Sequence, residues 1–529
     1  MWTVADWYII VAYFIFVITF GLYTSRLVKT LGEYWLAGHR MPWWAVAISS
    51  SSSEVDTGDV IGVAGAAYSA GLPSNEYVWG AAVASAVSAN TIYPALYKSG
   101  VNSNAEWLGK RYNSQFLRII SSIFQIINRC MVMGTVVYGM ATVFMIILGV
   151  ELWTAVIAGC IASLVYVFFG GIISVIMVDV VQYIFQIIVL AIVGIMGFIA
   201  AGGFAGIAKA LPQHMTFFVP PGPGVEFSLI AFLIGIPIME IAYMSVLNYQ
   251  AQKFLTARNE WNCRMGALFA YIMKIPWTLF TMFIGLSAAV LVPGLERADY
   301  ATGKMLMELL PTGLIGLFVA SLISTMVDTI AGCSAGMSVV FTNDLWKSLR
   351  PKADEKELLR VSRIFHIVFI TFVAIFGWLT PRIAPLLWLV MMKTHGLTSI
   401  PFLTIFLLGA VWAGAKKRSA IVAWFSGYAL AMFLTFAPVA GIELPWFLTH
   451  WAHIPIYTIV VGAIVLVCGS IFEQRSSTEE EQTRAYVAGT PKTSLTTIQK
   501  VIEQRIKLIK IKEDAINANM PIDLYNISL

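Results

Sequence analysis

The chain has 529 residues, 58% of them hydrophobic and only 12% charged, with a formal net charge of +5. About a quarter of the residues in a soluble protein are charged, so the composition predicts a polytopic membrane protein and argues against a soluble enzyme. Lys and Arg lie between apolar runs instead of clustering on one face, so no nucleic-acid partner is expected.

A stretch of about 20 apolar residues crosses the hydrocarbon of a bilayer, and thirteen candidate spans follow on that measure. They cover residues 7–25, 42–70, 74–97, 115–149, 152–170, 174–203, 226–251, 263–292, 312–346, 358–380, 384–411, 419–439 and 453–472. No Lys or Arg precedes the first apolar run and Asp6 opens it, so it reads as a retained span and not as a cleaved signal. Loops 26–41, 98–118, 253–264, 347–363 and 416–418 carry 19 of the 34 Lys and Arg, against four on the other side. The positive-inside rule then places the N-terminus outside and the C-terminus in the cytoplasm. The five cysteines sit in or beside apolar runs without paired spacing and read as packing.

The second span contains "ISSSSSEVDTGDV", with Glu54, Asp56 and Asp59 at its middle. A charge at the bilayer centre costs about 2.5–3.5 kcal/mol on insertion scales, so such residues must face a wet or protein-lined interior. Ser52, Asp56 and Asp59 would share one helical face, with Glu54 elsewhere unless the helix is interrupted. Serines compete for backbone hydrogen bonds, so an interruption is expected here, offering free carbonyls to a cation. Glu54 would then either meet a solute or cap the second half of the helix.

Five spans later, in "LIGIPIMEIAYMSVLNYQ", Gly235 and Pro237 precede Glu240 and Tyr243 and suggest a second interrupted span. Two broken spans at corresponding positions predict a transporter with inverted repeats and a midplane site. The first half would be 42–203 and the second 226–411, preceded by an extra helix in 1–26 and followed by two helices in 419–472. On the sixth span Asp179 and Gln182 lie one turn apart. Thr325, Asp328, Thr329 and Gly332 form one stripe on the ninth. Hard oxygen donors of this kind suit an alkali cation or a proton. Lys274, Lys393 and His395 are the candidate charge partners or solute contacts. Residues 473–529 form a polar tail, in which apolar positions at 498, 501, 502, 506 and 509 predict an amphipathic helix on the membrane surface.

The segments "GEYWLAGHRMPWWAVAIS", "GVAGAAYSAG", "GGIISVIMVDVVQ", "VLVPGLE" and "GMSVVFTNDLW" resemble the sodium:solute symporter family over about residues 7–440. The resemblance implies an all-α LeuT-type fold of two five-helix repeats, sodium-coupled uptake of a small polar solute by alternating access, and Na+ as coupling ion with no organic cofactor. A monomer in the cell (inner) membrane is expected. The resemblance also implies a sodium site from the carbonyls of Ser52, Val55 and Thr325 with the side chains of Asp328 and Thr329. The family usually has hydroxyl residues at both of those last positions, so Asp328 is a departure that could tighten sodium, favour another cation or carry a proton. Asp179 matches an aspartate near a second sodium site of some members, whose completing hydroxyls are replaced here by Ala331 and Gly332.

For the solute, Tyr243 falls at an inner-gate tyrosine and Lys274 at a sugar-contacting lysine, while Glu54, Asp59, Glu240 and Met392 depart from the pattern. Asp56 and Lys393 complete the candidate solute set. Carboxylates accept hydrogen bonds from hydroxyls, so a sugar or polyol is preferred, with a cationic solute as the alternative. A solute sensor, a channel and an intramembrane aspartyl protease are weaker readings, the last because "GxGD" is absent.

Overall fold

The computed structural model describes residues 3–149, 151–225, 227–311, 313–380, 394–438, 440–474, 483, 486 and 487. Two compact units divide the chain, Met1–Ala488 and Gly489–Leu529. The second unit lies outside the described residues, and so do the expected tail helix and the candidate solute residues Met392 and Lys393.

Among the described residues the structure is all-helical. Among the described residues, eight helices are long and apolar enough to span a membrane, and a ninth span arises if one bent pair counts as one. The expected thirteen are not all separate long helices, because several are broken, short or partly outside the described residues. Apolar side chains point outward as well as inward: Ile184, Ile188, Ile195 and Ile199 are exposed along the helix Leu152–Ala200. That pattern suits a bundle whose solvent is lipid.

The first expected break is present. One half-helix runs Trp43–Ser52 and the next Thr57–Ala70. Asp56, in extended conformation, accepts a hydrogen bond from the Asp59 backbone N–H at 3.0 Å and so caps the second half. The cap is therefore Asp56, not Glu54. A short acidic side chain suits this position because it satisfies an N–H that the helix leaves orphaned.

The second break lies twelve residues beyond the Gly235 signal. Pro237 does not break the chain: a π-helical turn, Ala231–Gly235, runs directly into the helix Ile236–Val246, and such a bulge is a recognised way for a helix to absorb a local irregularity. The chain instead bends by 62° before the helix Asn248–Leu255. Leu247 is extended there, and distant side chains satisfy the opened backbone: Gln125 accepts from the Asn248 N–H at 2.8 Å, and Asn104 donates to the Ser245 and Val246 carbonyls.

Glycine makes one further bend possible. Gly171 sits at φ 52° inside Leu152–Ala200 and divides it into two directions, against the Tyr34 carbonyl, where a side chain would clash. The two broken helices are tied together outside the site by paired hydrogen bonds of Met41 with Thr256 and Arg258, each 3.1 Å. The "VVFTNDLW" segment serves the packing of the bundle. Its Asp344 is buried and accepts from Arg118 Nε at 2.8 Å and from Ser103 at 2.5 Å.

Candidate functional site

The interruption at 53–56 leaves backbone oxygens unused. Among the described residues no backbone N–H bonds to the carbonyls of Ser52 or Val55, and both residues are buried. The helix Leu314–Val339 packs its Thr325, Asp328, Thr329 stripe toward this gap. Ser52 Oγ donates to Asp328 Oδ2 at 2.5 Å, and Gln186 Nε2 donates to the same oxygen at 3.0 Å. Thr329 Oγ1 donates to the Thr325 carbonyl at 2.8 Å. Ser52 and Asp328 thus meet across two helices far apart in sequence, with Thr325 and Thr329 beside Asp328 on its own helix.

Their chemistry fits a small monovalent cation. Asp328 is fully buried, yet its hydrogen-bond donors are neutral, and no ion pair to it occurs among the described residues. An ionised carboxylate in such a place is costly without a compensating charge. A cation placed between it and the free carbonyls would supply that charge with hard oxygen ligands.

Asp179 is arranged differently. It pairs with neither Arg129 nor Lys274 but with Lys253, whose Nζ lies 2.8 Å from Asp179 Oδ2 with both side chains fully buried. Hydropathy assigns Lys253 to the loop residues that set orientation. It belongs instead to the second half of the second broken helix. Ser49 Oγ donates to Asp179 Oδ2 at 2.6 Å, and Gln182 donates to Tyr13 at 3.0 Å. Lys253, Gln186, Ser49 and Ser53 are the polar residues that sequence reasoning missed. A lysine embedded in "YQAQKFLT" directly after a break was the available signal.

A second cluster gathers most of the solute candidates. Lys274 Nζ, buried on the helix Glu260–Leu291, lies 3.5 Å from Asp59 and 3.9 Å from Glu54. Glu240 accepts from Tyr271 OH at 2.8 Å. Among the described residues, neither carboxylate oxygen of Glu54 accepts a hydrogen bond, nor does Asp59 Oδ1. Tyr243 packs edge-on against His395 with centroids 4.9 Å apart, and the Arg129 guanidinium lies 5.2 Å from its ring centre. Asp56, by contrast, directs one oxygen to its capping bond. Two acids thus meet one ammonium directly, and a third, Glu240, is held beside them by Tyr271, whose ring also faces Lys274, so the cluster is rich in acceptors and poor in donors.

Known proteins resemble the chain over most of its length. The sodium:solute symporter family model matches residues 34–427. The chain is 26% identical over 495 residues to the sodium/glucose cotransporter of Vibrio parahaemolyticus, covering 87% of this chain and 89% of that protein. It is 26% identical over 472 residues to the sodium/myo-inositol cotransporter 2 of Homo sapiens, covering 80% and 68% of the two chains. A solved Na+-coupled sialic acid symporter, substrate-bound and outward-open, superposes with TM-score 0.76 at 18% identity, covering 88% of this chain and 98% of that one. A nucleobase-cation-symport-1 family transporter superposes with TM-score 0.58 at 12% identity, covering 87% and 100%. These structures share its fold, and with the family model matching most of its length, the chain belongs to the sodium:solute symporter family.

Proposed function

We propose that this sodium-coupled symporter carries a sugar or polyol, with one sodium ion held by the carbonyls of Ser52, Val55 and Thr325 and by Asp328 and Thr329. The observation that carries the ion assignment is the buried carboxylate of Asp328, met by neutral donors and facing the unused carbonyls of the first helix break. Glu54, Asp59, Glu240, Tyr243 and Lys274 form the solute site. Lys274 donates to solute hydroxyls and the acids accept from them. The sugar and inositol relatives support the polyhydroxy class.

A cationic or amino-bearing solute is the second reading. The excess of buried carboxylates, Glu54, Asp59 and Glu240, over the single Lys274 ammonium favours it, because a second ammonium would balance their charge. Coupling to a proton at Asp328 or Asp179 is the corresponding alternative for the ion.

Two inverted repeats, 42–203 and 226–411, alternate access around these sites, with the N-terminus outside and the C-terminus inside the inner membrane. The chain works as a monomer without organic cofactor. Proteoliposomes test the reading. Radiolabelled glucose or myo-inositol should accumulate under an inward sodium gradient and stop accumulating when gramicidin collapses it. Accumulation driven equally by a proton gradient in potassium would reject sodium coupling, and uptake of glucosamine in preference to both neutral solutes would move the solute class to the second reading.

A further inference from the structure

We propose that Lys253 is a built-in cation, whose ammonium occupies an oxygen cage at Asp179 that would otherwise take a second alkali ion, so that one sodium ion and not two accompanies each solute. The inference rests on the assignment of sodium to Asp328.

The cage has three oxygens. Lys253 Nζ donates to the Ser49 carbonyl at 2.6 Å, to Ser53 Oγ at 2.5 Å and to Asp179 Oδ2 at 2.8 Å. An ammonium has three N–H donors, and all three are used. A carbonyl, a hydroxyl and a carboxylate are also the hard donors that an alkali cation prefers. The cage therefore has the composition of a cation site, and the cation in it is covalently tethered.

The fourth side is kept open by a glycine. A Cβ on Gly332 would stand 3.5 Å from Lys253 Nζ and 2.8 Å from Ser53 Oγ, so a hydroxyl-bearing side chain there would crowd the ammonium. Gly332 lies one turn from Asp328 on the same helix face. Two buried carboxylates thus meet the first broken helix with different provision: Asp179 has a lysine, and Asp328 has neutral donors and free carbonyls. A charge supplied by the chain cannot leave with the solute. Only the ion at Asp328 can couple.

Equilibrium binding of radiolabelled sodium to the full-length protein in detergent reads this directly. The wild type should bind one ion per chain, and Lys253→Gln, which leaves Asp179 without its ammonium, should bind two. The Hill slope for sodium in the melting midpoint should rise from about one to about two. Lys253→Arg keeps the charge and should remain at one, and adding Asp179→Asn to Lys253→Gln should return the count to one. Two ions bound by the wild type would overturn the proposal even if Lys253→Gln failed to fold, as would an unchanged count in a folded Lys253→Gln. A wild type that binds none while Lys253→Gln binds one would refute sodium at Asp328 and uphold the cage.

Discussion

Lys274→Ala is expected to abolish solute uptake while leaving sodium binding in place. Lys274 is the ammonium that faces Asp59 at 3.5 Å and Glu54 at 3.9 Å, with all three side chains buried. Removing one member of a buried charge cluster typically costs about 3–5 kcal/mol, because the carboxylates left behind lose their compensation. That cost falls on the folded protein; the solute loses a charge-assisted hydrogen bond of about 1.5–3 kcal/mol, roughly a ten- to hundredfold loss in affinity. The solute would lose its ammonium donor among acids that can only accept. Sodium binding reports on folding, since the Asp328 stripe lies on a different helix. Normal uptake by Lys274→Ala would remove it from the solute site.

Asp328→Ser should fold and should weaken sodium by at least tenfold. Serine restores the hydroxyl that the family usually carries at this position, so an oxygen ligand remains but its charge does not. Two unit charges about 4 Å apart at a protein-like effective dielectric of about 20 attract by about 4 kcal/mol. Burying the carboxylate offsets part of that gain, which leaves the tenfold minimum. Titrating uptake with sodium gives the constant. An unchanged sodium affinity would take Asp328 out of the ion site, and uptake that loses its pH dependence in this variant would identify Asp328 as a proton carrier.

Much of this arrangement is legible in the residues. The serine run and three acids locate the first helix break because they conflict with a continuous apolar helix, and the break is where they stand. The stripe Thr325, Asp328, Thr329 is legible because i, i+3 and i+4 share a helical face. The second break is easily placed too early, because Gly235 and Pro237 look like breakers, yet the helix absorbs them in a π-helical turn and continues to Val246. The cap is less legible: the sequence offers Glu54 for it, but the shorter Asp56 is the residue whose oxygen reaches the Asp59 N–H.

Lys253 is the larger omission. Polar neighbours put it at the edge of the hydropathy window, and its partner Asp179 lies 74 residues away in sequence. A pairing of that range is set by how helices pack, which local pattern does not encode. The same holds for Gln186, which reaches Asp328 from 142 residues away.

Sodium at Asp328 and solute at Lys274 are expected to strengthen each other's binding. The most direct measurement is the unfolding midpoint of detergent-purified protein in NaCl and in equimolar KCl, each with a panel of sugars, polyols, amino acids and amines. A ligand that binds the native state raises the midpoint by linkage, and coupling between the two sites must be reciprocal. The account predicts a rise specific to sodium, enlarged by a sugar or polyol and not by that solute in potassium. Equal midpoints in the two salts, with a solute effect that follows pH instead, would contradict it.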